Sequence, residues 1–140
     1  MGLSAIYDSA RVKLLTAALN WPAASLIVSA WASPPDFDPT DQKISDLKAR
    51  GLIEAGVSLP VTGPSVSANG TAATDAVVVP GIAVGQVINW LTMAELKSPH
   101  DDSELIIYVD QTDVPLPFNG NGLDLVLQPD WLANQGWFRP

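Results

Sequence analysis

Along this chain the spacing of apolar positions begins helical and then turns strand-like. Leu3, Tyr7, Ala10, Leu14 and Ala17 or Ala18 recur at steps of three and four, the spacing of one helix face. Ser4 suits an N-cap, Asp8 lies where the macrodipole favours an anion, and Asn20 followed by Pro22 is a stop. The pattern predicts a helix over about 4–20, with Trp21 packing its end onto the body of the fold. Residues 25–31 (Ser-Leu-Ile-Val-Ser-Ala-Trp) are β-branched and bounded by prolines, and predict a buried, central strand.

Residues 33–41 combine three prolines with three aspartates, which forbids regular structure and predicts an extended acidic loop. Residues 44–50 suit a short helix ended by Gly51. Strand and turn follow: 52–59, then a polar Gly/Ser/Thr/Asn stretch, 75–79, a Pro80-Gly81 turn, and 86–96, where Val87, Ile88, Trp90, Leu91 and Thr92 favour strand over helix. Two runs at 104–110 and 123–128, joined by a Pro- and Gly-dense connector, have the form of an antiparallel pair, and Trp137-Phe138 could add an edge pairing. Asn119-Gly-Asn-Gly122 predicts a tight turn with at least one positive φ. The expected fold is mainly β: an antiparallel sandwich or rolled sheet in one domain over 1–140, a single N-terminal helix plugging one end and the β-rich body running from about 25.

Composition narrows what such a fold does. Hydrophobic residues are 47% of the 140 and charged ones only 16%, against about 25% in a typical soluble domain. Some apolar surface should therefore meet another subunit, and five tryptophans (Trp21, Trp31, Trp90, Trp131, Trp137) fit that expectation. The net charge of −8 and the lack of any Lys/Arg run argue against direct nucleic-acid binding. From Asp101 onward there are seven carboxylates and one cation, Arg139, which would suit a partner with basic patches. There is no cysteine, so no disulfide framework. The opening residues lack a secretory pattern, Ile6 breaks the myristoylation motif after Met1-Gly2, and no apolar run reaches the ~18 residues of a membrane span. A soluble protein with no membrane partner is expected.

Candidate chemistry is thin. His100, the only histidine, lies in a polar turn without a nucleophile elbow, which speaks against a Ser-His-Asp hydrolase. Asp101, Asp102 and Glu104 fall within four residues, but their spacing matches no calcium loop. Asn119–Gly122 lacks the Gly-Lys-Ser/Thr ending of a phosphate loop. No cofactor, no metal and no catalysis are expected.

Tyr7-Asp-Ser-Ala10, Asn20-Trp21, Ile44-Ser-Asp-Leu47, the aspartate-ended Leu105-Ile-Ile-Tyr-Val-Asp110, Leu116-Pro-Phe-Asn-Gly-Asn-Gly122 and the closing Trp137-Phe138 together resemble a family of small virion proteins from tailed bacteriophages. The likeness covers most of the chain; its sharpest piece is the aspartate-ended strand followed by Pro-x-x-Asn-Gly and a final aromatic strand. It departs from the pattern around 33–41 and 60–69, where prolines replace more regular sequence. The resemblance implies a structural component of the particle: a capsid decoration or cement protein bound to major capsid subunits, assembled in the host cytoplasm as a cyclic homo-oligomer, or else a neck, tail-completion or fibre-attachment protein. From another class, exposed tryptophans beside Asp or Asn would make a carbohydrate-binding sandwich. The expected contact residues are Pro34 and Pro35 with Phe37 as anchor on a Pro-rich arm, and the aromatics Trp131 and Trp137.

Overall fold

The structure, a computed structural model, describes residues 4–110, 116–128 and 136–138. Its centre is a five-stranded antiparallel sheet of β1 (Ser4–Ile6), β2 (Leu26–Trp31), β3 (Glu54–Val57), β8 (Trp90–Glu95) and β9 (Glu104–Val109), in the order β1-β9-β8-β2-β3. The strand predicted at 25–31 forms, but the central place belongs to β8, drawn from the segment 86–96. Alternation along these strands feeds two cores. Leu26, Val28, Ala30, Leu91 and Met93 face one side, while Ile27, Trp31, Trp90 and Ala94 face the other. A register shift between Met93 and Ala94 leaves Ile106 without a partner on β8. This bulge re-phases β9, so Ile106 and Ile107 both enter the first core while Leu105 and Tyr108 enter the second.

The helix predicted over 4–20 is shorter than expected at both ends. Ser4–Ile6 pair with β9, Ser4 opposite Val109 and Ile6 opposite Ile107, and α1 runs only from Asp8 to Leu15. Alternation explains the start, since Ile6 serves the first core and Tyr7 the second. At the other end Ala17 adopts φ +58°, and Ala18 and Leu19 both donate to the Lys13 carbonyl. That left-handed residue turns the chain so that Leu19 and Trp21 enter the core. A second helix, α2 (Ile44–Ala49), forms where expected and ends before Gly51 at φ +82°.

Short ribbons cover the first face: β4 (Ser65–Val66) with β5 (Ala72–Ala73), β6 (Val77–Val79) with β11 (Leu125–Leu127), and β7 (Val87–Ile88) with β10 (Phe118–Asn119). In the second of these Val77, Val79, Leu125 and Leu127 point into the core, while the opposed pair Val78 and Val126 points out. The predicted pairing of 104–110 with 123–128 does not form. Both edges of β9 are taken by β1 and β8, and the later run is needed to close the face beneath it. Phe138 bridges to Ala72, the edge pairing foreseen for the last aromatics. The fold is thus mainly β and sandwich-like, with α2 and the loop over 33–41 covering the second face.

Candidate docking surface

The Pro-rich loop is held at both ends and in the middle. Ser33 is its first anchor: its carbonyl accepts the Trp90 indole N–H at 3.0 Å and its hydroxyl accepts the Ile53 N–H at 2.8 Å. Asn89 donates its side-chain amide to the Ala32 carbonyl at 2.7 Å. At the far end the Asp8 N–H donates to the Pro39 carbonyl at 2.9 Å. Thr40 donates both its N–H and its hydroxyl to Asp38 Oδ1, and these two bonds hold the Asp38 carboxyl below its usual range. Arg50, just past α2, reaches back with one guanidinium nitrogen to Asp36 at 2.6 Å and the other to Asp41 at 2.5 Å. Asp41 is buried, and desolvation pushes its carboxyl upward against the pull of Arg50.

Phe37 sits in the middle and packs inward. Its ring centroid is 5.0 Å from Tyr7 and 5.2 Å from Tyr108, and it joins the second core. This corrects the expectation of a free anchor. Flanking aspartates suggested an outward ring, but Arg50 neutralises Asp36 and Asp41 and lets the segment lie against the sheet. Trp137 is corrected as well: it is 1% exposed and donates its indole N–H to Thr74 Oγ1 at 2.8 Å. Trp131 lies outside the described residues. Pro34 and Pro35 are exposed as expected, and beside them stands Ile53, 62% exposed, whose backbone bonds both Ala32 and Ser33. Pro34, Pro35 and Ile53 together offer an exposed apolar ledge whose backbone is tied at Ala32, Ser33 and Ile53.

Sequence reasoning missed Arg50 and Ile53. Nothing local marks either, because their roles depend on a loop and a strand edge that meet only in the fold. Next to the ledge's root, Lys48 bonds Asp101 at 2.6 Å and Glu54 at 3.4 Å, which lowers Asp101 and raises Lys48. His100 Nε2 lies 2.9 Å from Glu54 Oε2, and the Ser29 hydroxyl is 3.5 Å from that same nitrogen. A proton relay needs the nucleophile and the carboxylate on opposite ring nitrogens, so this trio has the residue types of a hydrolase without its geometry.

Two of the three carboxylates in the acidic cluster are paired with cations. Asp101 pairs with Lys48, and Glu104 pairs with Lys13 at 2.6 Å, which holds it below the usual carboxylate range. Among the described residues no group of three or more His, Cys, Asp or Glu could hold a metal ion. Trp21, Trp31, Trp90 and Trp137 are all buried, which removes every described tryptophan as a sugar-stacking platform. Asn119–Gly122 has the positive φ foreseen, at Gly122 (+83°), but not the tight turn: the chain leaves β10 and bends at Gly122 and Leu123, with the Gly120 N–H donating to the Gln86 carbonyl at 2.6 Å. No family model matches the chain, and neither a search of curated proteins nor one of solved structures finds a similar protein.

Proposed function

We propose that this chain is a structural subunit of a tailed-bacteriophage virion, a capsid decoration or cement protein that docks on major capsid subunits through Pro34, Pro35 and Ile53. The observation that carries the reading is the clamped loop. A contact surface fixed at Ser33, Phe37, Pro39 and Arg50 before binding loses little conformational entropy on docking. Exposed prolines on such a backbone fit a shallow apolar slot. The Asp38 carboxylate, held by Thr40 and making no ion pair with any described residue, favours basic residues around that slot. The resemblance carried by residues 105–110 and 116–122 supplies the virion context, and the histidine geometry gives no rival reading as a hydrolase.

The test is cosedimentation of purified protein with capsids lacking it. Ile53→Asp and the double variant Pro34→Gly/Pro35→Gly should melt close to the wild type while binding roughly ten- to hundredfold more weakly, the range of an interface hot spot. Wild-type binding by both variants refutes the ledge. Electron microscopy of the particle then gives the location: protein on the capsid faces supports decoration, and protein confined to the neck or tail replaces it with the tail-completion reading.

A further inference from the structure

Two features at opposite ends of the sheet complement each other. The first is a groove between β1 and α1, about 150 Å³ in volume and lined by Ile6, Arg11, Leu14 and Leu15. An apolar space of about 150 Å³ accommodates a group the size of benzene, so one large aliphatic side chain fills this one. Leu15 on its rim is 88% exposed and Val12 nearby is 60% exposed. Arg11 makes no ion pair with any described residue, which sets it apart from Lys13, Lys48, Arg50 and Lys97. The groove is apolar with a single cation awaiting a carboxylate.

The second feature is a tip made of two turns, 80–86 and 119–124, zipped together. Ile82 donates to the Leu123 carbonyl at 3.0 Å, Gly122 donates to the Ile82 carbonyl at 2.7 Å, and Gly81 donates to Asp124 Oδ1 at 2.8 Å. On this braced backbone stand Val84 and Leu123, 81% and 66% exposed, with the exposed Asp124 next in sequence. No Lys or Arg occurs within 76–96 or 116–128. The tip is an apolar knob with an adjacent carboxylate.

Their placement is head to tail. Turn 80–86 leads through β7 into the Trp90 end of β8, whereas Lys13, next to Leu14, reaches Glu95 and Glu104 at the far end of β8 and the start of β9. Ile6 pairs with Ile107 opposite Met93, so the groove lies from mid-sheet toward the Glu95 end, and no residue of the tip is among those lining it; within one copy the two stay apart. We propose that the tip of one copy docks in the groove of the next, Leu123 filling the space among Ile6, Leu14 and Leu15 while the Asp124 carboxylate meets the Arg11 guanidinium. Because the two surfaces differ, the contact is heterologous and closes into a ring or continues as a filament. The contact uses none of Pro34, Pro35 or Ile53, so it stands or falls apart from the capsid reading.

The test is sedimentation at about 0.15 M salt, where the Debye length of ~8 Å screens the repulsion between chains of net charge −8. Wild type should associate. Leu15→Glu blocks only the groove and Leu123→Glu only the tip; each alone should remain monomeric where wild type assembles, and their equimolar mixture should form a dimer and nothing larger. Both positions are exposed, so melting should stay near wild type; Leu15→Ser and Leu123→Ser replace either variant that unfolds. A wild type that remains monomeric at every concentration overturns the proposal. So does normal assembly of either variant, or a mixture that stays monomeric.

Discussion

Phe37→Ala separates a core residue from an arm, and the structure gives the size of the effect. Removing a fully buried phenylalanine costs about 3–5 kcal/mol. Phe37 is half-buried, so roughly half of that applies, and its tilted contacts with Tyr7 and Tyr108 contribute further. A loss of about 2–3 kcal/mol follows, which for a chain of this size lowers Tm by roughly 6–12 °C. Urea denaturation should show a lower midpoint at unchanged slope, because the fold and the surface it exposes on unfolding are retained. The same substitution opens a path to Tyr7, whose buried hydroxyl has no hydrogen-bond partner among the described residues. If Phe37→Ala leaves Tm unchanged yet abolishes particle binding, the ring is a free anchor and the clamped-loop argument is wrong.

Tyr7 and Tyr108 are the only tyrosines, and burial pushes both well above the ordinary value, with Asp41 and Asp110 respectively adding to the shift. The unfolded chain gives up these protons near pH ~10 while the folded chain keeps them, so stability present below that pH is lost as pH rises beyond it; tyrosinate absorbance should appear together with unfolding, and a smooth titration near pH ~10 in folded protein would contradict the buried pair. Gly120→Val should destabilise more than Gly122→Val. A Cβ at Gly120 would stand 2.0 Å from the Ala83 carbonyl oxygen, whereas at Gly122 it meets open space and carries only the left-handed strain, so about 3 kcal/mol or more against about 1–2 is expected from chemical denaturation. Lys13 holds Glu104 below the usual range, so its contribution is present above the unfolded pKa of ~4.3 and is lost as pH falls; Lys13→Met should flatten the decline of Tm between about pH 5 and 3, and an unchanged slope would dismiss the pair.

Local chemistry made much of the fold legible. The prolines bracketing residues 25–31 and Gly51 after α2 mark real boundaries, because each acts through its own backbone. Pairing was not legible in the same way. The three- and four-residue spacing that suggested one long helix arises from a strand followed by a helix, and only β9, about a hundred residues later, explains why residues 4–6 extend. Ala17 is a good helix former held in a left-handed conformation by the burial of Leu19 and Trp21, a tertiary demand overriding propensity. The docking surface was half legible. Prolines announce their own exposure, whereas the direction of Phe37 depends on Tyr7 and Tyr108 meeting it from the sheet and on Arg50 bridging Asp36 and Asp41, an arrangement that exists only in the fold.

The strand order carries a consequence for how the chain is made. Among the described residues β1 pairs only with β9, and β8 separates β9 from β2, so residues 4–6 find their partner only once residues 104–109 are available. Until β8 is available β2 has β3 alone beside it, and until β9 follows the outer edge of β8 stays unpaired. Completing the sheet therefore waits on closure of a loop about a hundred residues long, which is a slow step. During that interval the unpaired strand edges are open to neighbouring chains, the usual route to aggregation of a β-rich fold.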